Sequence, residues 1–193
     1  MLPQEPSVFP EDLLSAEGVQ GSWCVLHTRP RAEKSIARKF LRARLPFFLP
    51  QYEKKCYGGG RVRSAYLPLF PGYVFARGEG VRDAALATNQ VAQVLPVPDQ
   101  QRFHEDLLRI HRLTQAEFEL TPEERLCVGT RVIITAGALA DMCGKVLRCG
   151  TKCRFFVEID FLGRGVSVEV ESWLLRPVND TTLAPAGSSS HCV

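Results

Sequence analysis

The chain has 193 residues, 45% hydrophobic and 23% charged, and its 24 lysines and arginines outweigh 21 acids for a net charge of +3. That length supports one or two domains with a sizeable core, and the composition is that of an ordinary soluble globular protein. No apolar run approaches the length of a membrane span. Residues Met1 to Gln20 carry three prolines and four acids without a basic or long apolar stretch, which excludes a secretory signal. They are expected to form a flexible arm, residues 1–20, with a short helix near Glu11–Ala16. Seven cysteines without a Cys-x-x-Cys pair fit reduced, mostly buried thiols in a cytosolic protein better than zinc ligands. No metal and no cofactor is expected.

In chain order, Trp23–His27 reads as a strand with Trp23, Val25 and His27 on one face. Pro30 and Glu33 suit a helix start, and Ile36, Ala37, Phe40 and Leu41 recur at helical spacing, predicting a helix over about Arg31–Arg44. A second strand begins at Phe47 and runs toward Cys56, where Gly58-Gly59-Gly60 turns the chain back along Arg61–Tyr66. Val81–Thr88 is a short helix, Val91–Leu95 a strand, and Asp99 the N-cap of a helix carrying Phe103, Leu107 and Ile110 on one face. This order is a split βαβ arrangement, a sheet with helices packed on it. An acidic linker follows at 116–126. Beyond it, Arg131–Thr135, Gly144–Cys149, Phe155–Ile159, Val166–Val170 and Trp173–Val178 read as short strands with glycine turns, the pattern of a small closed barrel. Residues 179–193 read as a disordered tail.

Charge is unevenly spread. Residues 29–63 hold eleven bases against two acids, a local +9 that leaves −6 for the rest of the chain. Those bases fall on the first helix and on the glycine-tipped hairpin, and together they offer one electropositive side suited to nucleic acid or another polyanion. The run Leu67-Pro68-Leu69-Phe70-Pro71-Gly72-Tyr73-Val74-Phe75 then opens a strand whose Tyr73 and Phe75 share a face. Its two prolines rule out an ordinary central strand before Gly72. The aromatics are core or binding surface, and both readings stand at this point. The chain carries no nucleophile elbow, phosphate loop or metal cluster, and no enzymatic activity is expected.

These residues resemble the NusG family of transcription elongation factors. Phe70-Pro71-Gly72-Tyr73-Val74-Phe75 is similar to the family's most specific signature. Trp23-Cys24-Val25-Leu26 stands at its first strand, with Cys24 in place of an aromatic, and Arg29-Pro30-Arg31-Ala32-Glu33-Lys34 at its helix start. Val128–Val132, Gly137–Val146 and Phe161–Arg164 resemble a KOW motif. The resemblance implies an α+β protein, with a ferredoxin-like N-terminal (NGN) sandwich at 21–115 and an SH3-like KOW barrel at 127–178.

It further implies a monomeric cytoplasmic adaptor, associated with the bacterial nucleoid, that binds the clamp helices of RNA polymerase and suppresses pausing or termination. The implied polymerase contacts are His27, Phe70, Tyr73, Phe75, Leu95 and Val97. The implied contacts to upstream or non-template DNA are Arg29, Arg31, Lys34, Arg38, Arg61 and Arg63. Phe161, Leu162 and Arg164 would receive a ribosomal small-subunit protein or the termination factor Rho. The long N-terminal arm, extended tail and many cysteines favour a specialised paralogue acting on selected operons. A housekeeping factor that also assists Rho, or a stand-alone RNA-binding module, is the alternative. One branch of the family, typified by RfaH, refolds its KOW domain into helices; the β-prone Phe155, Val157, Ile159, Val166, Val168 and Val170 argue for a stable barrel here.

Overall fold

The computed structural model describes residues 6–15, 20–58, 61–116, 120–123, 129–149, 152–159, 162–171 and 174–178. The N-terminal part is built on β1 (Val8–Phe9), β2 (Trp23–Thr28), α1 (Glu33–Arg42), β3 (Phe47–Phe48), β4 (Gln51–Gly58), β5 (Arg61–Pro68), β6 (Tyr73–Arg77), α2 (Val81–Ala87), β7 (Val91–Pro96) and α3 (Gln100–Gln115). Five of these strands form an antiparallel sheet in the order β1-β3-β6-β2-β7. Strand β2 lies between β6 and β7, with Val25 opposite Phe75 on one side and Leu95 on the other. That is the split βαβ arrangement expected from the sequence.

Alternation along the strands sorts the core into two layers. Leu26, Val74 and Ala76 face α1 and α2, packing with Ile36, Ala37, Phe40, Val81 and Ala85. Trp23, Val25, Phe48 and Phe75 face the other way, onto Phe103, Leu107, Ile110 and Leu113 of α3. Local chemistry fixes the helix ends. Asp99 accepts the Arg102 amide at 3.0 Å and caps α3. Gln100, in the first turn of α3, bonds both the amide and the carbonyl of Trp23, at 2.6 and 3.0 Å, and so fixes the helix against β2. Helix α1 ends with Arg44 at φ 54, while Leu45 and Arg44 donate to Phe40 and Leu41 at 2.9 and 3.2 Å. This is the paired bonding of a left-handed helix terminus, here without glycine.

Three sequence expectations change. Residues 1–20 were read as a flexible arm, but within it Val8 and Phe9 pair with Phe48 and Phe47 as an edge strand, and Leu13 and Leu14 are buried in the core. Burial of the two leucines, the contact of Phe9 with Phe47 and the ladder to β3 act together against the ordering entropy of the segment. The helix near Glu11–Ala16 is a turn over the described residues, closed by Leu13 and Ser15 amides donating to Pro10 and Asp12. The single strand from Phe47 to Cys56 is divided at Leu49-Pro50: β3 belongs to the five-stranded sheet, whereas β4 pairs only with β5 in a separate ribbon. A two-stranded ribbon tolerates Pro68 at its edge, where a central strand would lose a ladder bond.

The C-terminal part comprises β8 (Thr121–Glu123), β9 (Arg131–Ile134), β10 (Cys143–Cys149), β11 (Lys152–Ile159), β12 (Arg164–Glu171) and β13 (Leu175–Pro177). They form one antiparallel sheet in the order β13-β9-β10-β11-β12-β8. Strand β8 comes from the segment read as an acidic linker at 116–126, so part of that linker is structural. Glycine at 144 and 165 is dictated by close approach. A Cβ at Gly144 would lie 2.6 Å from the Phe155 ring, and one at Gly165 would lie 2.4 Å from the Phe156 ring. Helix α3 packs against β11, and one apolar cluster runs from Phe75 and Leu107 through to Phe155 and Val166.

Candidate protein-docking and nucleic-acid interface

The site grows from one turn. Tyr73 donates its amide to the Phe70 carbonyl at 3.1 Å, closing a β-turn over Phe70-Pro71-Gly72-Tyr73. Pro71 presets the first central position, and Gly72, at φ 84, supplies the left-handed second one, the requirements of a type II turn. The turn is held from both sides: Thr28 of β2 donates to the Gly72 carbonyl at 2.8 Å, and Glu33 of α1 accepts the Gly72 amide at 2.7 Å. Tyr73 then emerges opposite His27, and the two rings stack with centroids 5.2 Å apart at 21°.

The six residues proposed from sequence as polymerase contacts separate by burial. His27 is exposed, and Tyr73 and Leu95 are half-buried. Phe70, Phe75 and Val97 are buried in the core. Phe70 lies edge-on to Phe75 at 5.7 Å, and Phe75 lies edge-on to Phe103 of α3 at 5.8 Å. In this arrangement those three side chains support the surface from beneath and are themselves closed to a partner. Tyr73 and Phe75 share a face of β6, so alternation does not separate them: Phe75 lies beneath α3 against Phe103, whereas Tyr73, the first residue of the strand, stacks on His27.

The basic residues gather beside the same turn. Arg29 and Arg31 are exposed between β2 and α1, and Arg38 is exposed on the helix. Lys34 is half-buried, and its ammonium reaches the Tyr66 carbonyl of β5 at 2.5 Å. Arg31 sits at φ 63, in the left-handed region, where the chain turns into α1. The backbones of Arg61 and Arg63 pair with Gly58 and Cys56 in the ribbon; their side chains lie outside the described residues. Of the six candidate bases, the four whose side chains are described lie on α1 and on the chain leading into it.

Of the residues proposed on the C-terminal part, Phe161 lies outside the described residues. Leu162 and Arg164 are half-buried: Leu162 packs on the apolar cluster that the two parts share, and the Arg164 guanidinium stands 5.0 Å from the centre of the Tyr73 ring. Arg112 of α3 adds a bond to the Ala140 carbonyl at 2.8 Å. A charged cleft of about 630 Å³ remains between α3 and β9–β11, lined by Arg102, Glu105, Arg109, Arg131 and Lys145 among others. Asp106 is buried beside it and paired with Arg109.

Sequence reasoning missed two participants. Glu33 was read only as a favourable acid in a helix first turn, and its bond to an amide 39 residues away has no local signal. Helix α3 was read as an amphipathic helix of the first domain, yet it is also the platform for the second. Two α3 histidines carry the cost of that crowding. Burial lowers the proton affinity of His111. Burial and then the Arg77 charge lower that of His104, with Glu105 partly opposing. On the opposite face of the sheet, burial pushes the Cys24 thiol up to about 11, against a smaller opposing pull from Arg82, which keeps it protonated and unreactive.

Among the described residues no group of three or more His, Cys, Asp or Glu side chains could hold a metal ion, and no helix is long and apolar enough to cross a membrane. The family model for NusG, described as the transcription termination factor nusG, matches residues 21–119. The chain belongs to the NusG family. The match spans four strands of the five-stranded sheet (β1 precedes it), the helices α1, α2 and α3 and the aromatic turn, so the NusG-type domain is the one that carries the candidate site. Among solved structures, a crystal structure of an MjSpt4:Spt5 complex in conformation B is similar at 15% identity and a TM-score of 0.27, with 82% of this chain and 97% of that chain covered. The search of curated proteins finds no match. Membership of the NusG family assigns the chain a role in transcription elongation.

Proposed function

We propose that this protein binds RNA polymerase through the His27–Tyr73 stack and acts as an elongation and antitermination factor, suppressing pausing or termination. The observation that carries the proposal is the stack itself: an exposed imidazole and a half-buried phenol held in register at the open end of a strand whose remaining aromatics are sealed in the core. Rigid aromatic side chains bury much area at little entropic cost, and a few of them can dominate an interface. Leu95, half-buried on the neighbouring strand, extends the patch. The clamp helices of the polymerase are the proposed target.

Arg29, Arg31, Lys34 and Arg38 would face the DNA that emerges beside the docked factor. Contacts of this kind give salt-dependent attraction without sequence reading. The C-terminal sheet, by its resemblance to a KOW domain, would recruit a ribosomal protein or Rho. Its Arg164 stands over Tyr73 of the first domain, so recruitment through Arg164 requires that contact to open. A specialised role on selected operons, in the cytoplasm, completes the proposal; the N-terminal segment, which adds β1 to the sheet and Leu13 and Leu14 to the core, supports a specialised form.

The deciding experiment is retention on immobilised core RNA polymerase at moderate salt, followed by an elongation assay. Wild type should be retained and should reduce pausing. Tyr73→Ala should lose at least about tenfold in affinity, which corresponds to the roughly 1.4 kcal/mol of a modest interface hot spot. Tight binding to free RNA with no retention on polymerase would instead establish the RNA-binding module.

A further inference from the structure

Glu33 occupies an unusual place for a carboxylate. It is the first residue of α1 and 6% exposed, and the Ala32 before it provides no side-chain cap. Its charge is accommodated by the positive end of its own helix. Its Oε1 reaches across to the Gly72 amide at 2.7 Å. Gly72 lies one residue before β6 begins, so its N–H has no ladder partner, and burial without an acceptor would be costly.

The next residue, Lys34, reaches the other end of the same segment, with its ammonium 2.5 Å from the Tyr66 carbonyl. Two adjacent side chains of one helix turn thus hold both ends of residues 66–72, the stretch that delivers Tyr73. The Gly72 carbonyl is held in turn by Thr28, the neighbour of His27. Every covalent step from Glu33 to the His27–Tyr73 stack is one residue long.

We propose that Glu33 is a positioning residue for partner docking: its carboxylate locks the Gly72 turn, so that the aromatic stack and the basic edge of α1 are presented to the polymerase and its DNA as one rigid unit. This rests on the reading of Tyr73 as a docking residue. A charged acceptor suits the task because hydrogen bonds to a carboxylate are shorter and stronger than neutral ones. Reach matters as much as charge. Aspartate would keep the charge at the helix end but withdraw the oxygens by one carbon–carbon bond, about 1.5 Å. Glutamine would keep an acceptor oxygen at full reach.

The test compares Glu33→Leu, Glu33→Asp and Glu33→Gln in the full chain by three measurements: amide hydrogen exchange at Gly72, the chemical shifts of the His27 ring, and affinity for core RNA polymerase. Glu33→Leu and Glu33→Asp should accelerate Gly72 exchange at least about tenfold, shift the His27 resonances and weaken polymerase binding by a similar factor. Glu33→Gln, which keeps the reach and loses the charge, should fall between wild type and Glu33→Asp in all three. If the leucine variant fails to fold, the aspartate and glutamine pair carries the comparison. Unchanged Gly72 exchange in Glu33→Asp would overturn the lock. Accelerated exchange with unchanged polymerase affinity would overturn the positioning role. Tyr73→Ala is the separate control: if it leaves polymerase binding intact, the docking reading fails, while the exchange and ring measurements still judge the lock.

Discussion

The two faces of the N-terminal sheet solve different problems with the same strands. Toward α1 and α2 the core is mostly aliphatic and small: Leu26, Val74 and Ala76 meet Ile36, Ala37, Val81 and Ala85, with Phe40 and Phe47 as the bulky members. That layer is complete within one domain. Toward α3 the core is aromatic, with Trp23, Phe48, Phe75 and Phe103 in contact with one another and with two histidines. It also carries buried polar atoms without hydrogen-bond partners, including Trp23 Nε1, His104 Nδ1 and His111 Nδ1. This second layer continues into the C-terminal sheet. A face that must both close a core and receive other surfaces is built from large, flat, partly polar groups. A face with only a core to close is built from small ones.

The sharpest way to break this contrast is to remove the ring on which the aromatic layer converges. Phe75 is fully buried and meets Phe48, Phe70 and Phe103. Phe75→Ala should cost about 3–5 kcal/mol by lost burial and the cavity left behind. Val74→Ala, on the opposite face of the same strand, deletes only two methyl groups and should cost clearly less. Chemical denaturation of the two variants measures the difference. Equal losses would mean that the two layers are energetically alike, contrary to the packing.

A smaller effect is expected where the aromatic layer meets the second domain. Arg164 stands over Tyr73, a cation–π contact in the range of about 0.5–2 kcal/mol. Under the proposed docking, a partner that uses this ring face must displace the guanidinium. Arg164→Ala should therefore tighten binding to core polymerase by a few-fold to about tenfold while leaving each domain folded. Affinity measured beside the wild type, with circular dichroism as the folding control, tests it. Weaker binding would show that Arg164 belongs to the interface and does not cover it.

Much of this architecture was legible in the sequence. Strand β2 was readable because Trp23, Val25 and His27 alternate with Cys24 and Leu26. Helix α3 was readable because Asp99 caps it and Phe103, Leu107 and Ile110 recur at helical spacing. Pro68 and Pro71 marked the stretch before Gly72 as no central strand, but the turn type over Phe70–Tyr73 came only with the structure. What escaped was everything decided at a distance. Whether Phe75 or Tyr73 faces outward depends on where α3 ends, which strand alternation alone does not contain. The burial of Leu13 and Leu14 depends on a sheet edge at β3 that is itself two residues long. Glu33 carries the strongest local cue for one role, a helix-end acid, and performs a second one that only the tertiary fold reveals.

The least dramatic expectation separates the faces by pH. On the aromatic side, burial lowers the proton affinity of His111, and burial together with Arg77 lowers that of His104. Each folded-state pKa lies below the ordinary value of 6.5, so in the window between them the unfolded chain holds protons that the folded chain refuses. Stability is then fully present above about pH 6.5 and declines as pH falls through that window toward the depressed values. On the aliphatic side the displaced group is a thiol: Cys24 is pushed upward by burial and stays neutral throughout this range. Thermal unfolding between pH 7.5 and 5 should show a falling midpoint, and the double variant His104→Gln/His111→Gln should flatten the slope above the carboxylate range. Hydrogen exchange at pH 5.5 should open α3 before α1. If α1 opened first, the acid-sensitive strain would lie on the closed face, and the division of labour between the two faces would have to be redrawn.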